Sequence, residues 1–95
     1  MQTRDEYVEA LKKKLDDWNE QIGRTEKQMH EASGEARQRY ARQVEEMNAQ
    51  MAEAHQRMNA LMQSSANEWD SQRKRFEQAW TDIAAGFGRA WSRFS

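Results

Sequence analysis

The stretch Val8-Glu9-Ala10-Leu11-Lys12-Lys13-Lys14-Leu15-Asp16-Asp17-Trp18-Asn19-Glu20-Gln21-Ile22 sets large apolar side chains at 8, 11, 15, 18 and 22, and everything between them is polar, charged or alanine. Steps of three and four residues put all five on one side of an α-helix, as in the seam of a coiled coil. Toward the N-terminus the reading stops at Thr3-Arg4-Asp5-Glu6, a capping box in which the Thr3 hydroxyl accepts from the Glu6 amide. The helix is expected to begin at about Arg4. Toward the C-terminus the alternation continues through Thr25, Met29, Ala32 and Ala36, where the side chains become small. A step of four to Tyr40 is a stutter, which locally unwinds a left-handed supercoil. Val44, Met47, Met51, Ala54, Met58, Leu61 and Ser65 then resume the alternation.

From Trp69 onward the character changes. On a straight helix Trp69, Phe76, Trp80, Ile83, Phe87, Trp91 and Phe94 share an arc of about 80°, narrower than the roughly 100° stripe of an ordinary surface helix. Six of the nine aromatic residues lie in these last 27 positions. Residues 71–95 carry a net charge of +3, leaving −4 for the first 70. Burying a large apolar side chain stabilises by roughly 1.5 to 3 kcal/mol, so this arc represents roughly 10 to 20 kcal/mol of driving force that something must cover.

The chain has 95 residues, no proline and no cysteine, and 13 of its 35 apolar residues are alanine. Leu, Ile, Val and Phe number only 10 together, which excludes a compact α/β enzyme for want of core. Disorder is disfavoured because 15 basic residues nearly cancel 16 acidic ones. The fold class is therefore all-α and a single domain, 1–95, with a heptad seam over 4–63 and an aromatic amphipathic helix over 68–95. Ser33-Gly34 and Ser64-Ser65-Ala66-Asn67 are the two places where small polar residues cluster, and Ser65 to Glu68 forms a second capping box ahead of Trp69. Twenty-two large apolar residues fall short of the three in seven that a bundle wants. A long coiled-coil helix is accordingly the first expectation, a hairpin turning near 64–67 the second, and a three-helix bundle cut at both clusters the third. A continuous helix of about 90 residues would be roughly 135 Å long and could not bury its own seam. It would need a second copy or a partner.

Catalytic, cofactor-binding and metal residues are not expected. His30 and His55 are 25 positions apart and lack the ligand spacing of a zinc site. Asp16-Asp17 and Glu45-Glu46 are adjacent pairs that point about 100° apart on a helix, so neither forms a shared carboxylate site. Gly23, Gly34, Gly86 and Gly88 are too scattered for a phosphate loop. The basic runs Lys12-Lys13-Lys14, Arg37 with Arg39 and Arg42, and Arg73-Lys74-Arg75 could touch phosphates, yet acids interleave with the first two and the overall charge is −1, so nucleic acid is not the expected partner. Gly86-Phe87-Gly88 interrupts the last helix with two poor helix formers, which a hinge or a close helix crossing would rationalise. The charged opening Met1 to Glu6 shows no signal peptide, and no run of 18 apolar residues offers a membrane span.

Tyr7, Leu11, Leu15-Asp16-Asp17-Trp18-Asn19 and Ile22, with Ala79-Trp80-Thr81-Asp82-Ile83, Gly86 and Ala90-Trp91, resemble a family of small bacterial coiled-coil stress-response proteins from cyanobacteria and proteobacteria. The resemblance spans most of the chain, although its middle is generic coiled coil. It implies a cytoplasmic helical protein without catalysis and assigns no functional residue. Gly88 and the methionines of the middle seam depart from the family pattern.

The expected function is that of a non-enzymatic structural protein, a homo-oligomeric scaffold or adaptor with a dimer favoured. Its oligomer seam is Val8, Leu11, Leu15, Trp18, Ile22, Met29, Tyr40, Val44, Met47, Met51, Met58 and Leu61. Trp69, Phe76, Trp80, Ile83, Phe87, Trp91 and Phe94 form the face for a protein partner or a membrane surface. The alternative is a peripheral membrane binder that lays this basic, aromatic helix in the interface. Cytoplasmic location, with the membrane periphery as a variant, follows from the same readings.

Overall fold

A computed structural model describes residues 3–93, with side chains through Ser92, so Phe94 of the expected face lies outside the described residues. It contains three helices: α1 (Arg4–Glu31), α2 (Gly34–Met62) and α3 (Trp69–Arg93). The all-α class is as the periodicity requires. The chain turns within 64–67, and it also reverses at Ala32 and Ser33, where the long-helix expectation ran straight through. The result measures 53 × 19 × 18 Å, far shorter than an extended rod.

Each boundary has a local cause. Thr3 caps α1 by accepting from the Glu6 amide at 3.1 Å, as the capping box requires. Ser65 does the same for the turn before α3, its hydroxyl accepting from the Glu68 amide at 3.3 Å. Between α1 and α2 the seam offers only Met29, Ala32 and Ala36, so little apolar burial would be gained by continuing the helix. Gly34 there adopts φ +62°, the left-handed conformation that residues with a Cβ avoid.

The seam residues face inward, but the partner they find is the chain itself. Leu11 and Leu15 of α1 share one buried cluster with Ala54, Met58 and Leu61 of α2 and with Phe76 and Ile83 of α3. Ile22, Met47, Phe87 and Ala90 form a second cluster nearer the α1–α2 turn. Trp18 and Met51 pack against both and join them. Val8 is also buried, while Met29, Tyr40 and Val44 are half-buried. The stutter at Tyr40 needs no unwinding, because the break at Ser33 frees α2 to adopt its own phase. Its inward stripe includes Gln43, buried at 3% exposure, whose amide donates to the Trp91 carbonyl at 2.9 Å. Thr25 is fully buried and satisfied by donating to the Gln21 carbonyl.

Candidate interaction surface

α1 and α3 run parallel, and among the described residues no Cα of one comes within 8 Å of a Cα of the other. Large rings fill the space. Tyr7 meets Trp69 edge-on with centroids 5.7 Å apart and Phe76 at 6.3 Å. Trp18 lies flat between Trp80, at 4.9 Å, and Phe87, at 4.2 Å. Phe76 stacks on Trp80 at 5.7 Å, so six rings form one continuous ladder. Tyr7 and Trp18 are 11 residues apart, as are Trp69, Trp80 and Trp91. Eleven residues make close to three helical turns, which lets two parallel helices present ring after ring in the same direction. This spacing was the available signal for an α1–α3 pairing, and a heptad reading passes over it.

The lower end of the ladder is tied by charge. The Arg4 guanidinium donates to the Ser64 carbonyl at 2.9 Å and to the Met62 carbonyl, and it lies 5.1 Å from the Trp69 ring centroid. A cation on the exposed carbonyls at the end of α2 satisfies acceptors and complements the helix dipole. The Tyr7 hydroxyl donates to Glu77 at 3.2 Å, and Arg73 pairs with the same carboxylate at 3.0 Å. Partial burial, then the Glu77 charge and its hydrogen bond, push the Tyr7 phenol up to about 12, with Arg73 opposing. A phenol so raised stays neutral at physiological pH and offers no base or nucleophile.

At the upper end the ladder opens into a shallow groove of about 420 Å³. Trp18, Trp80 and Phe87 line it, with Lys14, Asp17 and Trp91 among its other walls. Trp91 is 37% exposed, whereas Phe76, Ile83 and Phe87 are at most 4% exposed. Most of the aromatic arc expected to meet a partner or a membrane is thus the face that α3 turns to α1 and α2. Trp69 and Trp80 are half-buried, which leaves Trp91 as the outward part of the described face. Gly86 marks a close crossing: a Cβ there would come within 2.7 Å of the Gln50 side chain on α2, while one at Gly88 would meet nothing. A side chain at the first glycine of Gly86-Phe87-Gly88 would have to displace the flexible end of Gln50, and nothing in the structure explains the second glycine.

The remaining candidates sit where a solvated surface would put them. His30, His55, Asp16, Asp17 and Glu45 are exposed, and Glu46 is half-buried. Lys12, Lys13, Lys14, Arg37, Arg39 and Arg42 are exposed as well, and Arg73 is engaged with Asp70 and Glu77. Among the described residues no group of three or more His, Cys, Asp or Glu could hold a metal ion, and no helix is long and apolar enough to cross a membrane. Together these features define a small up-down-up helical bundle closed by an aromatic ladder. No protein-family model, curated protein or solved structure matches the chain.

Proposed function

We propose that this chain is a non-enzymatic structural or interaction protein, a self-associating helical scaffold or adaptor acting in the stress setting that its resemblance implies. The observation that carries the reading is the allocation of its side chains. The buried apolar residues of all three helices go into helix–helix packing, and among the described residues no acid, histidine or lysine is buried. Such a body supplies shape and surface rather than a reaction centre. The scaffold reading requires reversible self-association. Sedimentation equilibrium on the full chain, from micromolar to millimolar concentration, should show the mass rising above the 11.3 kDa of one chain. A mass that stays at one chain throughout would overturn it.

Membrane-surface binding through α3 is the competing reading, and it would draw on residues that already hold the bundle together. Anionic vesicles are therefore expected to leave tryptophan emission unchanged and the protein in the supernatant. A blue shift with co-sedimentation, abolished by Trp91→Ala, would favour the membrane instead.

A further inference from the structure

The reversal between α1 and α2 rests on very little. It consists of Ala32 and Ser33, followed by Gly34 at φ +62°. Ser33 makes no side-chain capping bond, and the space around a Cβ at Gly34 is empty. There is no proline to forbid a helix, and Met29, Ala32 and Ala36 keep helical spacing across the turn. Three residues separate two helices from one: Ala32 and Ser33 in extended conformation and Gly34 in the left-handed one.

The packing on either side of that point is that of an antiparallel helical hairpin. Leu11 shares a cluster with Met58, Leu15 with Ala54, and Ile22 with Met47. Antiparallel neighbours such as these are centred on residues 34–35, as the reversal at the turn dictates. Two chains straightened there and laid antiparallel would place α1 of one on α2 and α3 of the other, with the phase change at Tyr40 taken up as a stutter of the continuous helix. A two-fold axis would pass through the hinge, as closed dimers require. Around that axis Met29 of one chain would lie opposite Tyr40 of the other, with the small Ala32 and Ala36 nearer the axis, all four being half-buried in the closed chain.

We infer that the partner is a second copy of this chain, taken up by exchange of α1 through straightening of residues 32–34. This rests on the self-association reading above and specifies its route. The exchanged form joins α1 and α2 into one helix, residues 4–62, roughly 88 Å long at 1.5 Å per residue. The Trp18 stack on Trp80 and Phe87 and the Arg4 bond to Ser64 become contacts between chains. Short hinges under conformational constraint are where such swaps arise.

Gly34→Ala tests the hinge directly. Alanine is disfavoured roughly tenfold in the left-handed state and favoured roughly fivefold over glycine within a helix. Because both chains of a dimer gain, its Kd should fall by on the order of 1000-fold. With no native cysteine, Lys13→Cys and Gln56→Cys place spin labels on exposed sites of α1 and α2. Doubly labelled Gly34→Ala chains diluted into unlabelled excess should show a dimer and an intrachain distance near 65 Å, for 43 residues of continuous helix. A dimer that keeps a short intrachain distance, or a Gly34→Ala chain that stays monomeric, overturns the exchange. Should Gly34→Ala fail to fold, inserting Gly-Ser-Gly after Ser33 in the natural sequence takes its place: self-association must weaken at least tenfold, and unchanged self-association overturns the proposal. A natural chain of constant mass beside a Gly34→Ala dimer with the long distance would refute the scaffold reading and confine the exchange to the variant, whereas a natural chain that self-associates beside a Gly34→Ala dimer with a short distance would refute the exchange alone.

Discussion

Trp18→Ala should be among the most damaging single truncations in this protein. Trp18 is the ring that joins the two buried clusters, and it stacks on α3 twice, at 4.9 and 4.2 Å. An aromatic of this size buries about 150 Å² or more. At roughly 25 cal/mol per Å² its loss removes about 4 kcal/mol. The two ring stacks add about 1 kcal/mol, and relaxation of neighbours into the adjoining groove recovers a similar amount. The net cost is about 4 kcal/mol, against a total stability of about 5 to 14 kcal/mol for a domain of this length. The backbone cannot close the gap, because α1 and α3 are held more than 8 Å apart by such rings. Urea denaturation followed by far-ultraviolet circular dichroism measures the change, with Trp91→Ala as the internal comparison. Trp91 is 37% exposed, so its truncation should cost about 1 kcal/mol. Trp18→Phe, which keeps one ring, should fall between the two. A Trp18→Ala chain no less stable than Trp91→Ala would refute the claim that the ladder joins α1 to α3.

Tyr7 gives a pH signature of defined sign. Its folded pKa of about 12 lies above the ordinary 10.0, so the stability it contributes is complete below pH 10 and is lost as pH rises toward 12. Solvent screening at this partly exposed site limits the loss to about 1 kcal/mol, and stability curves of the natural chain and Tyr7→Phe should converge over that interval. Curves that stay parallel through the interval would count against the Glu77 interaction. At Gly86 two effects compete, since Gly86→Ala gains about 1 kcal/mol of helix propensity but must displace the Gln50 amide. The single variant should lie within about 0.5 kcal/mol of the natural chain, and Gln50→Ala combined with Gly86→Ala should exceed Gln50→Ala alone by about 1 kcal/mol. Equal effects of Gly86→Ala in both backgrounds would show that the crossing is not tight.

The seam was legible as a buried stripe from Val8 and Leu11 onward, because three-four spacing fixes which side of a helix is apolar. Which chain covers that side was not, since periodicity is identical for a hairpin and an oligomer. The second reversal carried a signal in Ser33-Gly34, yet the phase from Met29 through Ala32 to Ala36 runs through it undisturbed. Counting residues also weighed against a bundle. The count treats Trp18, Trp69 and Trp80 like any methionine, whereas each ring spans a gap that two aliphatic residues would be needed to fill. Thr25 stood on the seam by its spacing, whereas Gln43 was not legible, because a polar residue inside a bundle is specified by the acceptor it finds, here the Trp91 carbonyl 48 residues away.

With α1 and α3 parallel and α2 reversed, the helix count is odd. Two of the three axial dipoles cancel and one is left over, worth roughly half an elementary charge of each sign at the two ends. The positive pole lies where α1 and α3 begin, around Thr3 and Trp69, and the negative pole where they finish, beside Gly34. Across 53 Å the molecule is thus a weak electric rod with a built-in head and tail. Exchange of α1 about a two-fold axis would set two such rods in opposition and leave the pair without a net axial moment.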